Sequence, residues 1–282
     1  MADCPEERYH IYHAEAEALS GNITLPLVQE VKPPTYVKLN ERGGYLSQHV
    51  ENYRLGGVVS FRSAYTQVAG NPDTKVDHGW NTLSTSVIEG LNVLDIVTAD
   101  RIVAQISTDH PLVGYVPTVT FLGTRYENLR IAGHPVNLEL NLDMLGAKPK
   151  DDAPYTTDPG FFQRVSAQRE HIQSHQNVPS DISARYNRLP AIPNKEEPIS
   201  CSLVKHAKGD FPGRSFGHAF DVPNFGKIYF ATLTLKQSDF KTPTGSPRNT
   251  TITLNMIEMV MGCVGGGTLT GGGGKTNGTS YP

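Results

Sequence analysis

The segment from Gly209 to Asp221 concentrates residue types that can do chemistry. Its sequence, GDFPGRSFGHAFD, places Arg214, Ser215, His218 and Asp221 among glycines and phenylalanines. Loops that combine charged groups with aromatic rings build many binding sites, so a ligand or partner site is predicted here. A hydrolase triad is a weaker hypothesis, because triad residues usually lie far apart in sequence and no GxSxG motif is present. The plainest interpretation is an Ω-like loop with a structural role.

Two pairs of histidines have spacings worth testing as metal sites. His10 and His13 are three residues apart in a predicted strand, so their side chains should point to opposite faces. His171 and His175 are four residues apart on a predicted helix and should share a face. No glutamate completes an HExxH motif there, and the polar surroundings indicate a solvated face. No metal and no cofactor are predicted.

Other polar candidates have structural interpretations. His110 and His134 each follow a strand and precede a proline, which predicts rigid turns that the histidines cap. Acidic residues in the central block could coordinate calcium, which prefers several oxygen ligands. The chain contains no EF-hand or aspartate-rich repeat, and these acids are Glu89, Asp95 and Asp100.

Composition narrows the class of protein. The 282 residues are 38% hydrophobic and 19% charged, which is typical of a globular chain. A net charge of −3 and the absence of long Lys/Arg runs disfavour nucleic acid as a partner. No apolar run is long enough to predict a membrane span. The polar N-terminus lacks the features of a signal peptide. We therefore predict a cytoplasmic protein or one exported by a route that the chain does not encode.

Three cysteines, Cys4, Cys201 and Cys263, cannot form a disulfide framework. Cys201 and Cys263 each lie in an apolar, strand-like setting. They are predicted to be buried thiols, with a disulfide between them as the alternative.

The elements that must position these residues are mainly strands. Val, Ile, Thr and Leu crowd the block from Thr82 to Leu145, and Gly, Asn, Asp and Pro punctuate it. The predicted strands lie near 9–16, 22–31, 45–53, 58–68, 82–94, 97–108, 117–122, 125–132, 136–144, 199–206, 218–222, 226–235 and 250–261. This pattern predicts an all-β fold, either an antiparallel β-sandwich or a distorted barrel.

Two segments differ from the strands. Asp158 followed by Pro159 predicts a helix start, and Pro190 ends a second short helix that begins at Ser180. We therefore predict a helical insertion at 155–190 within a single domain spanning 1–282. The C-terminal tail, 265–282, is too glycine-rich to hold one conformation alone, so contacts with neighbouring copies are expected to order it.

Three segments carry a family resemblance. They are Val97–Asp100 (VTAD), Asn128–Pro135 (NLRIAGHP) and Asn224–Ile228 (NFGKI). About a third of the chain resembles the choice-of-anchor P family of bacterial surface proteins. The resemblance implies a β-rich, surface-exposed protein of unknown activity, and it brings no catalytic residues or cofactor.

The leading functional hypothesis is a non-enzymatic structural or interaction protein that self-associates into an oligomer or filament. The alternative is a β-sandwich enzyme or small-ligand-binding protein that uses the 209–221 loop. Arg214, Ser215, His218 and Asp221 would bind the ligand in that case.

Overall fold

The structure is a computed structural model, and it describes residues 8–26, 28–72, 78–186, 195–262 and 265–281. Strands dominate these described residues, and two α-helices interrupt the strands. In chain order the strands are β1 (Tyr9–Ile11), β2 (Ala14–Leu25), β3 (Gln29–Val31), β4 (Tyr36–Lys38), β5 (Gly44–Leu55), β6 (Val59–Pro72), β7 (His78–Val93), β8 (Val97–Pro111), β9 (Thr118–Thr120), β10 (Arg125–Glu127), β11 (Arg130–Ile131), β12 (His134–Pro135), β13 (Asn137–Leu140), β14 (Ile199–Ser202), β15 (Val204–Lys208), β16 (Arg214–Phe216), β17 (Ala219–Val222), β18 (Gly226–Ser238), β19 (Asn249–Met261), β20 (Gly266–Thr276) and β21 (Thr279–Tyr281).

Two large antiparallel sheets form a sandwich. The first sheet has the order β16-β17-β18-β19-β20-β2-β3, with β14 on β18, β4 on β2, and β1 on β21 beside β19. The second sheet has the order β12-β11-β8-β7-β6-β5, with β9 and β10 on β8. A small separate sheet pairs β13 with β15. The predicted all-β fold is confirmed, and the core lies between the two large sheets.

The strands change the side that faces the core part-way along their length. In β8, Val97 and Ala99 are buried, and beyond Asp100 the buried set becomes Ile102, Ala104 and Ile106. This shift explains why neither alternating set of residues in 97–108 is purely apolar. Left-handed residues accompany the shift in neighbouring strands, namely Asn52, Gly90 and Asn128 around the second sheet and Ala231 and Gly272 in the first.

The glycine-rich segment is not a tail, which corrects the prediction for 265–282. It forms β20, and β20 pairs with β19 on one side and β2 on the other. Gly271 to Gly274 are buried, and a Cβ on Gly271 would lie 3.0 Å from Ile257 Cγ2 and 3.5 Å from Ile88 Cδ1. The missing side chains let the two sheets approach closely. The chain therefore holds this segment itself, and no neighbouring copy is needed.

The helical insertion is confirmed. Helix α1 (Pro159–Gln173) begins at Asp158, whose carboxylate accepts a 2.7 Å hydrogen bond from the Phe161 amide. Phe161 and Val165 bury the helix against the main core, and Ile172 joins a smaller cluster with α2 (Ser180–Tyr186). The predicted second helix extended to Leu189, and residues 187–194 lie outside the described part of the chain.

Candidate functional site

The predicted site loop contains a β-hairpin. β16 and β17 pair so that Arg214 lies opposite Asp221 and Ser215 lies opposite Phe220. The turn between them contains Gly217, whose φ of 64° is in the left-handed region. Phe211, just before the hairpin, stacks on Phe220 with ring centroids 4.7 Å apart.

Two of the four predicted residues form an ion pair near the surface. Arg214 Nη2 lies 3.3 Å from Asp221 Oδ2, and Lys227 Nζ lies 2.5 Å from Asp221 Oδ1. Arg214 also donates to the carbonyl of Asn177 at 3.1 Å. Ser215 is exposed beside them. These contacts occupy the Asp221 carboxylate and tie the hairpin to the segment that follows α1.

His218 lies apart from those charged groups, in the interior. Its side chain is buried, and its Nε2 is 2.6 Å from the Tyr186 hydroxyl of α2. Burial, reinforced by the positive charge of Arg185, lowers the pKa of His218 to about 3. The structure therefore does not bring Arg214, Ser215, His218 and Asp221 together into one site.

A second polar cluster follows Tyr186. The neighbouring Arg185 donates from Nη2 to Glu258 Oε2 at 2.6 Å, and its guanidinium lies 4.0 Å from the centroid of the Tyr229 ring. Glu258 Oε1 accepts a 3.1 Å hydrogen bond from Asn255 Nδ2. This cluster links the helical insertion to β18 and β19.

Arg185 and Glu258 of this cluster line an open cavity of about 680 Å³ between the helical insertion and the first sheet. The size falls within the usual range for small-molecule sites. Described residues of α1, α2, β14, β18, β19 and the segment before β14 form its walls. The polar ones are Gln168, Arg169, Asp181, Arg185, Tyr186, Glu197, Ser200, Thr232, Thr234 and Glu258, and the apolar or thiol-bearing ones are Val165, Ala184, Pro198, Ile199 and Cys201.

Two titratable groups of this cavity, Cys201 and Tyr186, keep their neutral forms at neutral pH. Burial raises the pKa of the Cys201 thiol to about 12, and burial also raises the pKa of Tyr186. A reactive cysteine needs a lowered pKa, and a general acid or base works best with a pKa near the working pH. The arrangement therefore suits binding better than nucleophilic or proton-transfer chemistry.

The other candidates are also placed by the structure. His171 lies in the last turn of α1 and His175 lies just beyond the end of the helix, with ring centroids 4.9 Å apart. The three acids of the central block do not converge. Glu89 meets Arg62, Ser63 and Arg101, Asp95 contacts Asn92, and Asp100 accepts from Asn128 at 2.6 Å. Within the described ranges, no group of three or more His, Cys, Asp or Glu side chains could hold a metal ion.

The predicted turn at His110 is corrected. His110 is a buried strand residue of β8, paired with Trp80 of β7, because β8 continues through Pro111. Its ring lies against His10, which stacks on Trp80 with centroids 5.1 Å apart. His13 instead contacts Glu15 Oε1 at 2.9 Å. His134 is exposed and lies in the short strand β12.

Cys201 is a free, buried thiol, so the alternative of a disulfide to Cys263 is not supported. Cys263 itself lies outside the described residues.

Sequence reasoning missed Arg185 and Glu258. A signal for Glu258 was present, because it is a lone charge in the apolar run Met256–Met261, and such a charge needs a partner. Nothing in the sequence around Arg185 indicates its partner, because its contact with Glu258 of β19 forms only when the helical insertion packs on the first sheet.

Comparison with known proteins assigns a family. Residues 10–236 match the profile of a domain of unknown function, DUF8256. The chain belongs to this family. No curated protein and no solved structure matches it. The DUF8256 match begins in β1 and ends within β18, so it includes the helical insertion and leaves β19 and β20 beyond its end. In the described part of the chain, none of the helices has the length and apolar character to cross a membrane.

Proposed function

We propose that this protein is a non-enzymatic structural or interaction protein that self-associates through the edge of its second sheet. The observation that carries the proposal is β5, a twelve-residue strand at the end of that sheet. Its backbone pairs with β6 on one side, and its residues are exposed along most of its length. An open edge of this kind is a template for another strand.

Strand β5 has few of the features that protect sheet edges. No lysine or proline occurs between Gly44 and Leu55. Apolar side chains are exposed instead, with Tyr45 at 61% and Leu46 at 45% of their full accessibility. Asn52 adopts a left-handed φ of 55° and leaves the ladder with β6. The regular, unprotected stretch is therefore Gly44–Glu51.

The partner that fits this edge best is a second copy of the same strand. A two-fold axis through Gln48 would set two antiparallel copies side by side, with Leu46 of one copy opposite Val50 of the other. Ser47 and His49 would form the neighbouring pairs on the outer face. This symmetric pairing would join two eight-stranded sheets without requiring a rearrangement of either chain.

The choice-of-anchor P resemblance supports a location at the cell surface, and we include that location in the proposal. Its motifs coincide with turns: Asn128, Ala132 and Asn224 all have left-handed φ angles. A hydrogen bond from Asn128 to Asp100 joins two of the motifs. Because these motifs form turns of the sandwich, they support an architecture shared with that family. The proposal of self-association rests on β5 instead. Surface proteolysis of intact cells that make the protein tests the location, and a chain protected from the protease contradicts it.

Light scattering coupled to size exclusion tests the self-association. We expect the wild-type mass to rise above that of one chain with increasing concentration. Leu46→Lys should shift this equilibrium to the monomer, because it places like charges beside the paired edges. Leu122→Lys is the matched control, since Leu122 is 69% exposed outside β5.

A cysteine at the proposed axis adds a geometric test. Gln48→Cys should form a disulfide-linked dimer under mild oxidation, because the two Cβ atoms would face each other directly. Leu122→Cys should not. A wild-type chain that stays monomeric at high concentration would falsify self-association, and an oligomer untouched by Leu46→Lys would place the interface elsewhere.

A further inference from the structure

We infer that the cavity between the helical insertion and the first sheet binds a neutral, polyhydroxylated small molecule the size of a mono- or disaccharide. This inference is independent of the β5 edge. It concerns a different face of the molecule, built by α1, α2, β14, β18 and β19.

The cavity is accessible from solvent. Asp181, Ala184, Glu197, Pro198 and Ser200 line it and are all exposed. Its deeper wall carries buried residues, including Val165, Ile199 and Cys201. A ligand can therefore enter from the rim and lose much of its contact with water inside.

The charges of the lining disfavour an anionic ligand. The described lining residues include two arginines, Arg169 and Arg185, and three acids, Asp181, Glu197 and Glu258. Glu258 holds the guanidinium of Arg185 at 2.6 Å, which offsets that positive charge. A phosphate or carboxylate would meet a net negative lining, so a neutral ligand that can both donate and accept hydrogen bonds fits better.

One buried hydroxyl in the wall has an unmet hydrogen bond. Thr232 is 6% exposed, and its Oγ1 has no partner among the described residues. Near it, the hydroxyls of Ser200 and Thr234 lie 3.0 Å apart and can each make further bonds. A buried hydroxyl without a partner costs free energy, and a ligand hydroxyl at Thr232 would remove that cost.

The remaining lining suits the carbon face of a sugar ring. Val165, Pro198 and Ile199 provide apolar surface beside the polar groups. A saccharide presents C–H groups on one face and hydroxyls at its edge, so it matches a wall that mixes the two. An apolar ligand would leave the Thr232 hydroxyl without a partner.

Titration calorimetry on the full chain tests this inference, with glucose, N-acetylglucosamine, maltose and cellobiose as probes. Spermidine and citrate serve as charged probes at the same concentrations. We expect at least one saccharide to bind and both charged probes to bind more weakly. Thr232→Val keeps the side-chain shape and should weaken binding by about tenfold, because it removes one hydrogen bond to the ligand.

Two tryptophan variants locate the binding. Ala184→Trp places a large ring at the mouth of the cavity and should abolish saccharide binding. Gln163→Trp is the control, since Gln163 is exposed on α1 and does not line the cavity. Three results overturn the inference: no saccharide binds the wild type, a charged probe binds more tightly, or Ala184→Trp binds as the wild type does.

Discussion

The imidazole rings of His10 and His110 lie with their centroids 4.5 Å apart in the sandwich interior. His10 Nδ1 is 2.9 Å from the Ser280 hydroxyl, and the Nε2 atoms of both rings lack hydrogen-bond partners among the described residues. Both Nε2 atoms face the α-carbon of Gly278, where an added Cβ would lie 2.6 Å from each. These contacts join β1 and β8 to the segment that leads into β21.

The stability of the protein should fall in acid through this histidine pair. Burial and the charge of Arg8 lower the pKa of His10 to about 4, and burial, His10, Lys148 and Arg8 lower the pKa of His110. Between pH 6.5 and 4 the unfolded chain binds more protons at His10 than the folded chain does, so the free energy of unfolding decreases as pH falls. The contribution of His10 is about 3 kcal/mol. It is fully present above pH 6.5 and is lost by about pH 4.

Urea unfolding across this pH range measures the effect. His10→Gln should make the free energy of unfolding less dependent on pH, because glutamine takes up no proton in the folded or the unfolded state. His134→Gln is the control at an exposed position and should leave the slope unchanged. An unchanged slope in His10→Gln contradicts the assignment to His10.

Gly278→Ala should destabilise the fold by about 2 kcal/mol, as overpacking of a close-packed interior does. Its Cβ would overlap the two Nε2 atoms, and the stacking of His10 on Trp80 limits how far that ring can move. Thermal or urea unfolding checks this. Gly262→Ala is the matched control, since a Cβ on Gly262 would contact no atom within 4 Å. Equal stability of the two variants would rule out the steric explanation.

Cys201 should resist alkylation in the folded protein at neutral pH. Its side chain is 2% exposed, and its raised pKa keeps the thiol protonated, whereas the thiolate is the reactive form. Iodoacetamide labelling followed by peptide-resolved mass spectrometry separates Cys201 from the other cysteines. Labelling should appear after denaturation in guanidinium, and rapid labelling of the native chain would contradict the burial of Cys201.

Asp158→Ala should cost about 1 kcal/mol, because it removes the acceptor that caps the Phe161 amide at the start of α1. Asp158→Asn keeps an acceptor and serves as the comparison. Unfolding experiments measure the loss, and hydrogen exchange at the first turn of α1 should quicken in the alanine variant alone. Equal exchange in both variants would show that the cap does not stabilise the helix.

Local patterns predicted the strands and the helical insertion because their causes are local. Asp158 and Pro159 mark a helix start by their own chemistry, and the alternating residues of β7 and β8 mark strands. The change of face at Asp100 was hidden, since it depends on left-handed residues in neighbouring strands such as Gly90. The strand at Gly271 and its neighbours could not be predicted for a similar reason. A glycine run favours a flexible segment in isolation, and only pairing with β2 and β19 makes it a strand.

The candidate site was less predictable than the fold. His218 and Asp221 are close in sequence, yet His218 in the turn before β17 is buried, whereas Asp221 in β17 forms ion pairs near the surface. Glu258 and Arg185 are far apart in sequence and meet only when α2 packs over β19. Closeness in sequence was therefore a poor guide to which residues form a site. The residue pairs that line the cavity come together only through tertiary contacts.

The position of β20 also orders events during synthesis. Ala14 pairs with Thr276, so β2 leaves the ribosome long before its neighbour exists. Until β20 arrives, β2 and β19 each lack a partner strand in the middle of the first sheet, and the nascent chain presents two inner edges in addition to β5. The burden on chaperones should therefore be greatest before β20 joins the first sheet, and a chain held at that stage would be prone to pair with other copies.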